Sequence, residues 1–148
     1  MDIGCGMGYF TIPMAQMVGE RGKVVAADLQ PEMLDGMLIN AEKAGVKNRI
    51  EPRLSEKSSV NIGDFSGKVH FAILFMMLHE VPDRERLVRE VRDALRAGGK
   101  LLFAEPVGHV GKKSFERSLQ IMRQAGLAVV GTPRIALCRA ALLEKGDA

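Results

Sequence analysis

Tryptophan is missing from the chain, tyrosine occurs once and phenylalanine six times among 148 residues. So few aromatic rings take away the stacking platform on which a single-strand nucleic-acid binder lays its bases. Cysteine occurs only twice, as Cys5 in a glycine-rich turn and Cys138 in a late apolar run. No disulfide framework follows, and the expected setting is a reducing cytoplasm. No apolar run reaches the roughly 18 residues of a membrane span, so no membrane span is expected. No signal peptide is expected either, because the chain opens on the glycine-rich turn itself. His79-Glu80 lacks the second histidine of a zinc-binding H-E-x-x-H helix, and no other cluster has metal-ligand spacing, so no metal is expected. Nor does one sign of charge dominate: 21 Lys and Arg face 18 Asp and Glu, a net +3. The densest charges alternate in sign over residues 83–96, with Glu85 four residues before Arg89, which reads as the solvated face of a helix. That pattern argues against a nucleic-acid partner.

What the chain does carry is concentrated at its head. Asp2-Ile3-Gly4-Cys5-Gly6-Met7-Gly8 runs straight into Tyr9-Phe10-Thr11-Ile12. Glycines at alternate positions let the backbone turn tightly and keep Cβ atoms out of a ligand's way. A helix follows at once, so its free N–H groups face whatever the turn holds. Strand, glycine turn and helix in that order bring main chain against a nucleotide-type cofactor. The spacing is not the G-x-G-x-x-G of dinucleotide-binding turns, since Gly8 comes one residue early and Tyr9 takes the expected place. A plain tight loop is the competing reading of the glycines alone.

The length points to one domain, residues 1–148, and 47% apolar with 26% charged residues is a globular mix. Helices are expected over residues 10–18, from Pro31 to a stop at Gly45, over 83–96 and over 114–125. The second would bury Met33, Met37, Leu38 and Ala41; the third would bury Leu87, Val88, Val91, Ala94 and Leu95 and end at Gly98-Gly99. The last would bury Phe115, Leu119 and Met122. Strands are expected at 23–28, 50–54, 69–78, 100–105, 127–130 and 134–143. Pro52 cannot donate to a ladder and puts its strand at a sheet edge. The run 69–78, apolar on both faces, reads as central. Only Gly131-Thr132-Pro133 would separate the last two strands, which permits an antiparallel hairpin and forbids a parallel crossover. The expected fold class is therefore α/β: a doubly wound, mostly parallel Rossmann-like sheet of seven strands, closing in an antiparallel hairpin, its first strand cut short. Nine methionines read as gap-filling core.

Four stretches together resemble the class I S-adenosylmethionine-dependent methyltransferases, small-molecule branch, quinone-biosynthesis type. They are the glycine motif; Asp28-Leu29-Gln30-Pro31-Glu32-Met33-Leu34; Leu78-His79-Glu80-Val81-Pro82-Asp83; and Leu95-Arg96-Ala97-Gly98-Gly99-Lys100-Leu101-Leu102. The resemblance covers nearly the whole chain and includes the closing hairpin. It implies S-adenosylmethionine as cofactor and roles for named residues. Asp28 would accept hydrogen bonds from the ribose hydroxyls, against the alternative of a solvent-facing helix cap. Leu29 would pack on the adenine. Gly4, Cys5, Gly6 and Gly8 would bring main chain to the methionine portion, with Asp2 orienting its ammonium group; Cys5 would be a small loop residue and no nucleophile. Glu56 stands where an acid often meets the adenine amino group, although Ser55-Glu56-Lys57 departs from the usual Gly-Asp-Ala and a solvated loop charge fits as well. Phe75 and Met76 would offer main chain at the end of the fourth strand. His70 stands where an aspartate is frequent and reads as a strand-start residue.

Methyl transfer from a sulfonium is an in-line displacement, and alignment of the reactants can supply on the order of 7–11 kcal/mol. A general base helps where the acceptor must lose a proton, and His79 is the candidate, against a plain loop histidine. The Asn/Asp-Pro-Pro-aromatic tetrapeptide of base and amide methylation is absent after the fourth strand, where Met76-Met77-Leu78-His79 stands, as is the Pro-Cys of pyrimidine-carbon methylation. The resemblance thus implies a small-molecule methyl acceptor rather than RNA or protein. Only Met1 precedes Asp2, where the family has a longer strand and a helical extension, so the chain reads as truncated. The segment 107–113 after the fifth strand is short, leaving the acceptor site open, supplied by a homodimer or partner chain, or lost. A non-catalytic cofactor-binding remnant or regulatory subunit is the alternative.

Overall fold

A computed structural model of the protein describes residues 1–146. The chain divides into two compact units, Met1–Asn61 and Ile62–Ala148.

In the first unit three parallel strands, β1 (Asp2–Ile3), β2 (Val24–Asp28) and β3 (Ile50–Leu54), lie in the order β3-β2-β1. Four of the five β2 residues are buried, as a strand covered on both faces requires. Pro52 sits opposite Ala26 on β3, which is the edge strand its missing N–H predicts. Helices α1 (Thr11–Met17) and α2 (Pro31–Lys43) pack on these strands. Pro31 opens α2, where its fixed φ suits the first helical turn. The helix buries Leu34, Met37 and Ala41, a stripe at 3.6-residue spacing. Met33 and Leu38, expected on that face, form its half-buried shoulders, and Leu34 takes the inward place. Met37 is fully buried among Cys5, Ala15, Val24 and Ala26, and a side chain of its kind contributes about 1.5–3 kcal/mol by leaving water.

The second unit holds β4 (Val69–Phe75), α3 (Arg84–Ala94), β5 (Leu95–Pro106), α4 (Lys112–Gln124), β6 (Leu127–Gly131) and β7 (Cys138–Lys145), with strand order β4-β5-β7-β6. β4 and β5 are parallel, and β7 runs antiparallel to both β5 and β6. The inward residues expected of α3 are all buried, Leu95 from the start of β5, and Asp83 caps the helix by accepting the Arg86 N–H at 2.9 Å. Phe103 of β5 stacks on Phe115 of α4, ring centroids 5.0 Å apart. The seven described strands, mostly parallel with one reversed and with helices flanking them in each unit, are those of the expected class.

Three boundaries differ from expectation. β4 stops at Phe75 rather than at residue 78, because Met76 takes a left-handed φ of 55° and residues Leu78–Glu80 wind a short 3₁₀ turn. His70 and Phe71 are exposed, between buried Val69 and the buried later residues 72–74. Gly98-Gly99 does not end α3, which stops at Ala94; the pair lies in a bulge where β5 shifts register against β4. A Cβ on Gly99 would come within 2.9 Å of the Val69 carbonyl oxygen, so only glycine fits. Finally, β7 begins at Cys138 and not at Arg134. The link 132–137 contains Pro133, turns over at Leu137 with φ 61°, and is longer than the three residues expected.

Candidate functional site

The first unit builds its turn on β2. The N–H groups of Gly4 and Cys5 both donate to the Ala27 carbonyl, at 2.8 and 3.0 Å, and the Gly8 N–H donates to the Cys5 carbonyl at 3.0 Å. Gly4, Gly6 and Gly8 all have positive φ, at 73°, 50° and 91°, the left-handed region in which a Cβ is strained. Two of the glycines face different surroundings. A Cβ on Gly8 would stand 2.8 Å from Met37 Cγ and 3.3 Å from Ile12 Cδ1, whereas one on Gly6 would meet nothing within 4 Å. α2 also holds the back of the turn, where the Asn40 side-chain amide donates to the Met7 carbonyl at 3.1 Å. The turn is therefore buttressed on the Gly8 side and open at Gly6.

Asp28, at the end of β2, closes on that open part. The Gly6 N–H donates to Asp28 Oδ2 at 2.8 Å, and the Gln30 N–H to Oδ1 at 3.0 Å. A carboxylate has about four acceptor positions, so both oxygens can take further donors. The helix-cap alternative is not what is seen: the N-cap of α2 is Gln30, with no side-chain cap bond. Leu29 follows, half-exposed at 50%. Glu56 is exposed just beyond β3, in a small backbone bridge with Ser59, and the neighbouring Ser55 N–H donates to the Asp28 carbonyl at 2.8 Å.

Asp2 and Cys5 are both buried. Asp2 is 2% exposed and accepts the Thr11 hydroxyl at 2.6 Å, which ties β1 to the first residue of α1. Burial raises its carboxyl above the ordinary value. Burial, reinforced by the Asp2 and Asp28 charges, pushes the Cys5 thiol up to about 12. The thiolate, the reactive form of a cysteine, is thereby disfavoured.

In the second unit Phe75 is half-buried at the end of β4, and Met76, exposed, sends its N–H to the Ala104 carbonyl at 2.8 Å. His79 sits in the following 3₁₀ turn, its side chain 23% exposed. Its main-chain N–H donates to Glu105 Oε1 at 2.9 Å, and its ring Nδ1 lies 2.6 Å from Glu105 Oε2. Glu105 is 1% exposed. Ring Nε2 lies 3.8 Å from the exposed Glu80 carboxylate, beyond hydrogen-bonding distance. Arg84 donates to the His79 carbonyl at 3.0 Å and steadies the turn. Sequence reasoning passed over Glu105 and Thr11. The signal for Glu105 was the one that marked Asp28, an acid at the carboxyl end of an apolar strand.

Among the described residues no group of three or more His, Cys, Asp or Glu could hold a metal ion, and no helix is long and apolar enough to cross a membrane.

A family model described as a methyltransferase domain matches residues 1–99. The chain is 30% identical over 107 residues to an arsenite methyltransferase from Halobacterium salinarum, covering 72% of this chain and 27% of that protein. It is 26% identical over 135 residues to the ubiquinone/menaquinone biosynthesis C-methyltransferase UbiE of Shewanella frigidimarina, covering 87% of this chain and 52% of the relative. A solved SAM-dependent methyltransferase from Aquifex aeolicus superposes with a TM-score of 0.81 at 24% identity, over 97% of this chain and 79% of that one. The chain thus spans between about a quarter and half the length of these curated relatives.

Proposed function

The chain belongs to the S-adenosylmethionine-dependent methyltransferase domain family, and on that footing we propose that it moves a methyl group from S-adenosylmethionine to a small-molecule acceptor. The observation that carries the reading is the Gly6–Asp28 hydrogen bond beside a backbone position with nothing within 4 Å of where a Cβ would be. A side-chain-free bend with a carboxylate drawn against it fits a nucleoside with two vicinal hydroxyls. Asp28 would hold the ribose hydroxyls on its remaining lone pairs, a charge-assisted contact. Gly4, Gly6 and Gly8 would let main chain approach the amino-acid portion, Leu29 would cover the adenine, and Glu56 would meet its amino group. Asp2, held by its bond to Thr11, would orient the ammonium group of the amino-acid portion.

When bound, S-adenosylmethionine supplies an electrophilic methyl with its leaving group already attached. The chain's own work is then alignment, and removal of a proton where the acceptor carries one. His79 is the group proposed for the proton, since its Nε2 is left without a hydrogen-bond partner close by. The small-molecule reading draws on the absent Asn/Asp-Pro-Pro-aromatic tetrapeptide and on the names of the relatives, an arsenite methyltransferase and a ubiquinone/menaquinone biosynthesis C-methyltransferase.

Calorimetry with S-adenosylmethionine and with S-adenosylhomocysteine tests the cofactor half. Binding that Asp28→Ala weakens or abolishes supports it, and no binding of either compound by the intact chain overturns it. Transfer of labelled methyl to a panel of quinols, phenols and amines tests the other half. Binding without any transfer would leave a cofactor-binding subunit in its place.

A further inference from the structure

Glu105 is the least exposed charged residue among the described residues of the second unit, and both of its oxygens are committed to one other residue. Oε1 takes the main-chain N–H of His79 and Oε2 lies 2.6 Å from its ring Nδ1. A peptide N–H can only donate, so Oε1 is an acceptor and the carboxylate form fits the arrangement. The main-chain bond alone would fasten the turn after β4 to β5. The second bond does something different: it fixes the ring's orientation, and an ionised Glu105, which can only accept, would draw its hydrogen from Nδ1. Nε2, the ring's other nitrogen, lies 3.8 Å from the Glu80 carboxylate, beyond hydrogen-bonding distance, on a side chain that is 23% exposed.

We propose that Glu105 is a positioning residue that holds His79 in the Nδ1–H tautomer, so that Nε2 takes a proton from an acceptor whose hydroxyl, phenolic or enolic, ionises as it is methylated. This rests on the methyl-transfer reading above and narrows its acceptor class. The acceptor's oxygen, or the ring carbon its ionised oxygen activates, bonds to the methyl carbon while the donor's sulfur–carbon bond breaks and sulfur keeps the electron pair. The acceptor's hydroxyl proton passes to Nε2, and the imidazolium so formed stands against the Glu105 carboxylate until water takes the proton. Buried charge already in place to meet a developing cation needs no reorganisation during the step.

The test is a two-bond ¹H–¹⁵N correlation spectrum of uniformly ¹⁵N-labelled full chain at a pH where the ring is neutral, with His79 assigned by the signal lost in His79→Gln. The expected spectrum shows a protonated Nδ1 and a bare Nε2. In Glu105→Gln the expected change is a shift of population toward the Nε2–H form, with the backbone amide spectrum preserved. A wild-type ring protonated on Nε2 overturns the proposal, as does a Glu105→Gln spectrum with an unchanged tautomer. Should Glu105→Gln fail to fold, Glu105→Asp, which keeps the charge but shortens the reach, takes its place with the same two outcomes. Calorimetry of S-adenosylhomocysteine on the same samples reports on the cofactor reading separately, so the two can fail independently.

Discussion

The Gly6 amide and the Asp28 carboxylate, 22 residues apart in sequence, meet in a 2.8 Å hydrogen bond. The bond joins the most permissive backbone of the first unit to its best-placed acid. It uses one acceptor position of one oxygen, and the Gln30 N–H uses one of the other. The carboxylate proposed to hold the ribose hydroxyls thus also braces the turn, and substitutions can separate the two roles.

Replacing Asp28 by alanine removes all of those acceptors. Hydrogen bonds to a charged group contribute about 1.5–3 kcal/mol each, so affinity for S-adenosylhomocysteine should fall at least about tenfold. Asp28→Asn should fall less, since an amide oxygen still accepts. Calorimetric titration of the three proteins decides, alongside a melting curve that corrects for the lost Gly6 bond. Equal affinity across the series would remove Asp28 from the site.

Gly6 and Gly8 should respond differently to alanine. Both hold positive φ, a strain of about 1–2 kcal/mol for a residue with a Cβ. At Gly8 the added methyl also lands 2.8 Å from Met37 Cγ, and overpacking of that kind costs about 1–3 kcal/mol more. At Gly6 it enters open space. Gly8→Ala should therefore melt earlier, and Gly6→Ala should lose more cofactor affinity than its melting temperature accounts for. The opposite ranking would mean that the open side of the turn is not where a ligand lies.

How far these positions were readable in advance depends on whether the deciding force is local. Pro52 marks an edge strand because its missing N–H is a property of the residue itself. Asp28 and the stripe of Met37 and Ala41 follow from strand ends and helical spacing. The end of β4 was not readable: its cause is the left-handed Met76, and methionine carries no propensity for that conformation. The start of β7 was missed because the apolar Ile135-Ala136-Leu137 runs on into the strand's own apolar residues yet turns over at Leu137. Gly98-Gly99 looks like a helix stop, and only the neighbouring Val69 backbone reveals a bulge. Glu105 reads as a strand residue until a partner 26 positions away faces it.

Cys5 gives a prediction in pH. Its thiol is raised from 9.0 to about 12 in the folded protein, chiefly by burial. Between those values the unfolded chain has lost the proton that the folded chain keeps, so stability falls as pH rises, by about 1.4 kcal/mol per unit for a full proton. Urea unfolding of the wild type and of Cys5→Ala should show a difference in stability that is constant below pH 9 and shifts in favour of Cys5→Ala above it. In the native protein at pH 8 Cys5 should also resist alkylation, and react once unfolded. Rapid labelling of native Cys5 would contradict the raised value.

Met76, 39% exposed as a residue, holds φ 55°. Its N–H still reaches the Ala104 carbonyl at 2.8 Å, so the surroundings hold the backbone against its preference. Glycine would relieve about 1–2 kcal/mol of strain and return roughly half of that as greater freedom in the unfolded chain. Met76→Gly should thus leave stability unchanged or raise it by up to ~1 kcal/mol. A β-branched residue is a worse fit to that region, and Met76→Val should destabilise by about 1–3 kcal/mol. Urea midpoints of the three proteins measure both shifts. Strain of this kind is kept where function needs the geometry, so the informative comparison is with labelled-methyl transfer. A Met76→Gly protein as stable as the wild type but slower in transfer would tie the left-handed turn to activity, whereas equal rates would leave it a feature of the chain's path out of β4.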